Sequence, residues 1–330
     1  MSLIDKSDRI LLAGHRGMVG SAIKRLLKKR KYKNILAPSR NELNLLNFNS
    51  VEKWFREYKP SIVILAAAKV GGIDANNRYP GDFILENLKI QNNVIENAWK
   101  NNIKRFLFLG SSCIYPKFAK QPIKEDYLLS GGLEITNEPY AIAKIAGIKL
   151  CSALKKQYGF DAISLMPTNL YGPGDNYHEK NSHVMPALIK KIYDSKRLNI
   201  PKTIFWGSGK PRREFLHVDD LADAAIFVLE NITSDNKLLK DCREEYLGIL
   251  NVGTGNDISI KELAEKISSE QNYYGEIEWD LKKADGTPRK LLDVSRIKEL
   301  GWEAKIGFSQ GIKDTIKSFI EESENETIRI

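Results

Sequence analysis

Residues 10–20 read Ile-Leu-Leu-Ala-Gly-His-Arg-Gly-Met-Val-Gly, and this stretch decides the fold. Its first four residues form a short apolar run that is typical of a buried strand, and apolar side chains at helical spacing follow from Val19 to Leu27. Three glycines join the two elements; they are Gly14, Gly17 and Gly20. Glycine permits a tight turn and lets backbone N–H groups approach an anion at a helix N-terminus. The stretch therefore predicts a phosphate-binding turn between the first strand and the first helix.

The same alternation continues outward from this turn as far as Met166. Short apolar runs occupy Ile35–Pro38, Ser61–Ala68, Phe106–Leu109 and Ala162–Met166, and helical patterns occupy Val51–Tyr58, Ile84–Trp99 and Tyr140–Tyr158. Strands without polar alternation, separated by helices, predict a parallel sheet that is covered on both faces. The expected fold is α/β, with a doubly wound parallel sheet of the Rossmann type.

The alternation weakens after Gly174. Helices are predicted at Ser182–Tyr193, Asp219–Glu230 and Ser259–Ser268, the last with Ser259 as its cap and Glu262 three residues on, and strands at Thr203–Trp206 and Ile249–Gly253. We expect residues 1–175 to form the Rossmann domain that carries the phosphate-binding turn, with returning segments at about 214–256. Residues 176–213 and 257–330 would form a smaller α/β C-terminal substrate-binding domain. The polar tail from Glu321 to Ile330 is expected to fray.

The composition excludes several classes of protein. Hydrophobic residues make up 42% and charged residues 28% of the chain, which is enough apolar surface for a folded core. The 51 basic and 42 acidic residues give a net charge of +9, but they are interspersed, so we expect no binding to nucleic acid. No apolar run is long enough to span a membrane, and Met1–Asp8 lacks the basic and apolar regions of a secretion signal, so we expect neither a membrane span nor secretion. The three cysteines suggest neither a disulfide framework nor a zinc site, so we expect a cytoplasmic protein without a metal.

The second strand indicates which dinucleotide the turn binds. An acidic residue at its end would bind the ribose hydroxyls of NAD, but this strand continues into Pro38, Ser39 and Arg40. Arg40 and Arg16 could instead flank a 2′-phosphate through charge-assisted hydrogen bonds. We therefore expect NADP(H) as the cofactor.

Tyr140 and Lys144 are four residues apart on a predicted helix, so their side chains share one face. An ammonium there can favour tyrosinate and lower the pKa of the phenol, which then acts as an acid or base. Ser111 follows a predicted strand, at the carboxyl end where parallel sheets hold their sites. The glycine spacing, and serine, tyrosine and lysine in this order, resemble the extended short-chain dehydrogenase/reductases.

Longer stretches narrow this resemblance. They are Ala66–Gly72, Gly110–Lys117, Asn137–Gly147, Pro167–Pro173, Asn181–Val184, Trp206–Gly209, Arg213–Asp220 and Asp285–Asp293. Together they resemble the GDP-L-fucose synthases, a family of NADP-dependent epimerase-reductases. The resemblance runs from about Ile10 to Phe319.

The resemblance implies a role for each matching residue. Ser111, Tyr140 and Lys144 match the reductase triad, while Cys113 matches the base of an epimerisation and His183 its acid. Contacts with the cofactor are implied for Gly14, His15, Arg16, Gly17, Met18, Val19, Gly20, Arg40, Asn41, Glu42, Leu43, Asn44, Leu45, Leu109, Gly110, Ser111, Ser112, Lys144, Pro167, Thr168, Asn169, Leu170 and His183. Contacts with a GDP-sugar are implied for Lys191, Trp206, Arg213 and Asp285.

The implied activity is the NADPH-dependent conversion of GDP-4-keto-6-deoxy-D-mannose to GDP-L-fucose, by 3,5-epimerisation and then reduction of the 4-keto group. The chemistry is coherent, because protons on the carbons beside a ketone are acidic. A thiolate can remove such a proton and an imidazole can return one to the opposite face.

Ordinary interpretations compete with several of these roles. A lone cysteine such as Cys113 is usually a small buried hydrophobe, and Trp206 could belong to the core. Composition does not separate His178 from His183, and only the Asn-Ser-His motif selects His183. The family also uses arginine at the position of Lys191, and a relative can have aspartate at the position of Asn41.

Two other functions remain as alternatives. One is another nucleotide-sugar epimerase or 4,6-dehydratase of the same superfamily, which would hold NAD and need no cysteine base. The other is a non-catalytic dinucleotide-sensing or scaffold protein, which the fold alone would allow. The helical patterns at Ile84–Trp99 and Tyr140–Tyr158 resemble those that pair in dimers of this superfamily, so a homodimer is expected.

Overall fold

The structure is a computed structural model that describes residues 2–179, 181–283 and 285–329. Its strands are β1 Arg9–Ala13, β2 Asn34–Leu36, β3 Ile62–Leu65, β4 Arg105–Leu109, β5 Ala162–Pro167, β6 Asn169–Tyr171, β7 Lys202–Trp206, β8 Arg212–His217, β9 Ile249–Val252, β10 Asp257–Ser259, β11 Glu276–Asp280 and β12 Arg289–Lys290. Its α-helices are α1 Met18–Lys29, α2 Phe48–Tyr58, α3 Ile73–Arg78, α4 Pro80–Lys100, α5 Glu138–Tyr158, α6 Val184–Arg197, α7 Val218–Asn231, α8 Ile260–Glu270, α9 Ser295–Glu299 and α10 Phe308–Glu324. None of the described helices combines the length and apolarity needed to cross a membrane.

A six-stranded parallel sheet forms the centre of the larger core. Its strand order is β2-β1-β3-β4-β5-β9, and every neighbouring pair is parallel. All residues of β3, β4 and β5 are buried, as continuous apolar runs require when both faces are covered. Helix α1 packs on α7, and α4 packs on α2 and α5, so helices cover the sheet in two groups. The prediction of a doubly wound α/β fold is confirmed.

A second core lies around shorter strands that the sequence pattern only partly predicts. Strand β8 pairs with β10, β12 and β6, while β7 pairs with β11. Tyr171, Ile189, Phe215 and Ile312 are buried together in this core. Of the segment at 214–256, β9 joins the large sheet and α7 packs on α1, whereas residues 214–217 belong to β8. The division of the chain into two domains stays a prediction.

Local capping explains where two of the helices begin. The Ser259 hydroxyl accepts a hydrogen bond from the Glu262 N–H at 3.1 Å, and the Glu262 carboxylate accepts one from the Ser259 N–H at 2.9 Å. This capping box confirms the predicted start of α8. Helix α7 begins after His217, whose Nδ1 accepts from the Asp219 N–H at 3.2 Å.

The C-terminal segment differs from the expected frayed tail. Helix α10 continues to Glu324, and the chain beyond it pairs with the segment after β6. The Tyr177 N–H donates to the Arg329 carbonyl at 2.7 Å, and the Arg329 guanidinium donates to the Gly174 carbonyl at 3.0 Å. The prediction of fraying is therefore wrong as far as Arg329, because backbone pairing stabilises a segment that has few apolar side chains.

Candidate active site

The glycine turn between β1 and α1 is closed by backbone contacts. Gly14 has φ +92°, and a Cβ there would lie 2.5 Å from the backbone nitrogen of Ala67. A Cβ on Gly20 would overlap the carbonyl oxygen of Gly14. At Gly17, by contrast, a Cβ would meet only ordinary contacts, and neither a capping side chain nor an acidic residue occupies the first turn of α1. These residues fit the pyrophosphate of a dinucleotide, which binds backbone N–H groups at a helix N-terminus.

The turn after β2 carries two exposed arginines and one engaged carboxylate. Arg16 and Arg40 are both exposed to solvent. The Glu42 carboxylate accepts a hydrogen bond from the Ser39 N–H at 2.6 Å, and this bond is the main reason why the pKa of Glu42 is lowered. The charges of Arg16 and His15 contribute in the same direction. Glu42, the first acidic residue after β2, is thus hydrogen-bonded within its own turn.

Ser111 and Tyr140 meet at the carboxyl end of β4. Ser111 follows that strand by two residues, and Tyr140 lies in the first turn of α5. Burial raises the pKa of Tyr140, the charge of Cys113 adds to this effect, and a hydrogen bond with Ser111 acts in the opposite direction. The structure therefore brings together three of the residues predicted for the site, and it holds the phenol in its protonated form.

Lys144 lies one turn further along α5 and is buried. Its Nζ donates to the Leu109 carbonyl at 2.8 Å and lies 5.8 Å from the centre of the Tyr140 ring. Burial lowers the pKa of Lys144 to about 7. The expectation that Lys144 lowers the pKa of Tyr140 is wrong in this structure, because burial dominates at both groups.

Two nitrogen donors contact the sulfur of Cys113, which is half-buried rather than part of the core. Asn137 Nδ2 lies 3.4 Å from Sγ and Lys290 Nζ lies 3.7 Å from it. The Ser111 hydroxyl also accepts from the Cys113 N–H at 3.2 Å. Asn137 and Lys290 both lie within the stretches that carry the family resemblance, yet the sequence analysis assigns no role to either. Their residue types could have indicated this contact, because the nitrogen atom of an amide or ammonium group donates hydrogen bonds and does not accept them.

His183 immediately precedes α6 and is accessible to solvent, although protein surrounds much of the ring. Desolvation lowers the pKa of His183, and the charge of Lys290 acts in the same direction. The same lysine therefore faces both His183 and Cys113. His178 has a local role as well, because its Nδ1 accepts from the Asn181 N–H at 3.2 Å.

The residues predicted to bind the GDP-sugar lie around β7 and β8. Lys191 on α6 donates to the Ile204 carbonyl at 2.5 Å, and Trp206 at the end of β7 is 72% exposed and therefore not a core residue. The Asp285 carboxylate accepts from the N–H and the hydroxyl of Ser208, at 2.8 and 2.7 Å. Arg213 is half-buried on β8 and faces the charge of Asp285.

Several of the remaining cofactor candidates lie at the end of β5 or just before α2, and their contact with a cofactor stays a prediction. Pro167 ends β5, and the side chains of Thr168 and Asn169 donate to the Glu214 carbonyl at 3.2 and 2.8 Å. The carbonyl of Leu45 accepts from Asn93 Nδ2 at 2.8 Å. These contacts join the candidate segments to β8 and α4, and they assign no catalytic role to the side chains involved.

Known proteins resemble this chain over nearly its whole length. Residues 10–246 match the model of the NAD dependent epimerase/dehydratase family. GDP-L-fucose synthase from Escherichia coli (strain K12) is 52% identical over 314 residues, which are 95% of this chain and 97% of that protein.

Two solved structures share the fold and contain NADP. MlghC, a GDP-mannoheptose C4 reductase from Campylobacter jejuni with NADP bound, has a TM-score of 0.86 and 39% identity, and covers 96% of this chain and 99% of its own. A GDP-L-fucose synthetase from Naegleria fowleri bound to NADP has a TM-score of 0.87 and 26% identity, and covers 99% and 98%. The chain therefore belongs to the NAD dependent epimerase/dehydratase family and, within it, to the GDP-L-fucose synthases.

Proposed function

We propose that this protein converts GDP-4-keto-6-deoxy-D-mannose to GDP-L-fucose with NADPH, by epimerisation at carbons 3 and 5 and then reduction at carbon 4. One observation carries the proposal beyond family membership. A thiol, Cys113, lies beside the Ser111 and Tyr140 hydroxyls, so a base for proton removal and donors for a ketone oxygen belong to one site.

The epimerisation begins with the thiolate of Cys113. It removes the proton from the carbon next to the ketone, and the electron pair of the broken C–H bond moves onto the ketone oxygen. Hydrogen bonds from Tyr140 and Ser111 stabilise that enolate oxygen. His183, once solvent has protonated its imidazole, returns a proton to the opposite face of the same carbon, which leaves that centre inverted. The thiol then gives the substrate proton to solvent and the imidazole takes up another proton, so a second round can invert the other centre.

The reduction uses the same two hydroxyls. NADPH, when bound, supplies the hydride that carbon 4 accepts. Tyr140 donates its phenolic proton to the oxygen as negative charge develops there, and its raised pKa keeps this proton in place until then. Lys144 holds the end of β4 through the Leu109 carbonyl and would contact the cofactor.

Two features support NADP(H) rather than NAD(H). Arg16 and Arg40 offer two guanidinium groups for a 2′-phosphate at the turn after β2, and Glu42 is occupied by Ser39. The glycine turn would hold the pyrophosphate at the start of α1.

The GDP part of the substrate would bind beside β7 and β8. The exposed ring of Trp206 offers a stacking surface, and Lys191 and Arg213 carry positive charges that suit a diphosphate. Asp285 can accept hydrogen bonds from the nucleoside.

Homodimer formation and a cytoplasmic location complete the proposal. Leu85 on α4 and Ile142 on α5 are 53% and 42% exposed, and apolar side chains on two neighbouring helices suit a subunit contact. Sedimentation of the pure protein measures this directly. Free thiols at Cys113, Cys151 and Cys242 suit a reducing compartment.

One experiment tests the activity. The protein is incubated with GDP-4-keto-6-deoxy-D-mannose and NADPH, and NMR identifies the sugar that is formed. GDP-L-fucose is the expected product. A 6-deoxy sugar with unchanged configuration at carbons 3 and 5 would make the protein a C4 reductase only, and no oxidation of NADPH would overturn the proposal entirely.

A further inference from the structure

The sulfur of Cys113 receives hydrogen bonds but gives none within the described residues. Asn137 Nδ2 and Lys290 Nζ approach it at 3.4 and 3.7 Å, and both groups can only donate. A neutral thiol is a weak acceptor, whereas a thiolate attracts N–H groups and cations strongly. The arrangement therefore matches the ionised form of this side chain.

We propose that Lys290 is a positioning residue that holds Cys113 as a thiolate, ready to remove a proton from the substrate. This inference deepens the proposed function and rests on it. The ammonium of Lys290 stabilises the negative charge on Sγ before substrate binds. Once Sγ has accepted the substrate proton, that attraction ends and the neutral thiol remains.

The strand that carries Lys290 is fixed on both sides. In β12, Lys290 pairs in register with Arg213 of β8. The next two backbone N–H groups, of Leu291 and Leu292, donate to Gln121 Oε1 at 2.8 Å and to Glu214 Oε2 at 3.0 Å. The ammonium is thus delivered to Cys113 by a backbone that is hydrogen-bonded to two separate parts of the fold.

The positive charge of Lys290 is available to interact with the sulfur of Cys113. Its neighbour Arg289 forms an ion pair with Asp257, but no carboxylate in the described part of the chain pairs with Lys290. Among the described residues, Tyr140 on α5 also faces Cys113, and its phenol is neutral below its raised pKa. His183, beside α6, faces Lys290, whose charge favours the neutral imidazole.

The test measures the reactivity of the thiolate directly and needs no substrate. Purified wild type, Lys290→Met, Lys290→Gln and Lys290→Arg are treated with iodoacetamide between about pH 6 and pH 9. Mass spectrometry then gives the alkylation rate of Cys113, and the exposed Cys242 serves as an internal reference in the same sample. Arg289→Met is the matched control on the same strand, and circular dichroism checks that each variant is folded.

Lys290→Met is expected to slow alkylation of Cys113 about tenfold at neutral pH and to move the curve of rate against pH to higher pH, with Cys242 unchanged. Lys290→Arg keeps the positive charge, so Cys113 in this variant should be alkylated at close to the wild-type rate. Lys290→Gln keeps an N–H donor without the charge and should behave like Lys290→Met. Wild-type alkylation in Lys290→Gln or Lys290→Met would overturn the inference. Because alkylation is independent of the sugar, this result stands whether or not the keto sugar is turned over.

Discussion

At the scale of single residues, Tyr140 and Cys113 divide the chemistry although they share one environment. The phenol is kept protonated by burial and by the neighbouring sulfur, whereas the sulfur is approached by donors. An acid and a base side by side suit a reaction in which the same ketone oxygen is first stabilised as an enolate and then protonated. The two roles should therefore separate by mutation.

Tyr140→Phe should abolish reduction while folding and NADPH binding persist, because only the hydroxyl is lost. General acid catalysis contributes about 10²–10⁴-fold, so we expect less than about a tenth of the wild-type rate of NADPH oxidation. Tyr158→Phe on the same helix is the matched control, since its ring packs against Trp99 near the C-terminal end of α5, away from Tyr140. A variant that keeps more than that rate would remove Tyr140 from the role of acid.

Cys113→Ser should separate epimerisation from reduction. The serine hydroxyl has a similar size but ionises far too weakly near neutral pH to replace the thiolate as a base. Exchange of the carbon 3 and carbon 5 protons with D₂O should therefore be lost. Slow reduction of the unepimerised ketone should continue, because Ser111 and Tyr140 remain. NMR measures the exchange, with Cys242→Ser as the control. Exchange at the wild-type rate in Cys113→Ser would show that another residue is the base.

Arg40→Ala should weaken NADPH binding by about 1.5–3 kcal/mol and leave NADH binding almost unchanged, because the lost partner is the 2′-phosphate. Titration calorimetry with both cofactors measures the difference, and Arg56→Ala on α2 controls for the loss of a surface charge. Equal affinity of the wild-type protein for the two cofactors would contradict the assignment.

Residue types and their order predicted Ser111, Tyr140 and Lys144 as one set, and the family resemblance added Cys113, but neither predicted the contact that Lys290 makes. Lys290 is 177 residues from Cys113 in the chain, and strand pairing brings them together. The raised pKa of Tyr140 could not be predicted from the sequence either, because it depends more on burial than on the lysine four residues away.

At the scale of elements, the glycines in the turn between β1 and α1 are required for different reasons. A methyl group on Gly20 would overlap the Gly14 carbonyl, which cannot move away because Gly14 itself lies against Ala67. Gly20→Ala should therefore lower the unfolding temperature clearly. At Gly17 a methyl group has space and the backbone is extended, so Gly17→Ala should fold normally. The variant should nevertheless bind NADPH more weakly. Thermal unfolding with and without NADPH distinguishes the two, and equal stability losses would contradict this division.

Long elements were predictable and short ones were not. Strands β3, β4 and β5 and helices α4 and α5 have the apolar runs and spacings that identify them. Strands β10 and β12 have only three and two residues, and pairing with β8 rather than a pattern of their own makes them strands. The sequence pattern did not predict β12, and for the same reason it did not predict that Lys290, which lies on this strand, belongs to the site.

At the scale of the whole molecule, a buried carboxylate connects three regions that are distant in sequence. Glu125 accepts from the Asn251 N–H of β9 at 2.9 Å and lies 3.6 Å from the Arg296 guanidinium of α9. Asn251 in turn donates to the carbonyls of Ile123 and Asp293, and accepts from the Tyr115 hydroxyl at 2.6 Å. The loop after Cys113, the central sheet and the C-terminal segment thus meet at one hydrogen-bonded cluster.

This cluster makes the stability of the molecule depend on pH in a definite direction. Burial raises the pKa of Glu125 to about 7, although the bond from Asn251 and the charge of Arg296 oppose the rise. The unfolded chain has the ordinary pKa of about 4.3, so between these values the folded state binds more protons than the unfolded state. The contribution of Glu125 to stability must then fall as pH rises through that window.

Glu125→Gln removes this titration and keeps an oxygen that can accept from Asn251. The unfolding temperature of the variant minus that of the wild type should therefore rise from about pH 5 to about pH 8, because only the wild type acquires a buried charge over that range. Asp175, whose pKa burial also raises to about 7, is present in both proteins and cancels in the difference. Glu57→Gln, on the exposed face of α2, is the control and should give a difference that does not change with pH. A flat difference for Glu125→Gln would mean that Arg296 keeps Glu125 ionised throughout, and that this junction is an ion pair instead of a neutral hydrogen-bonded contact.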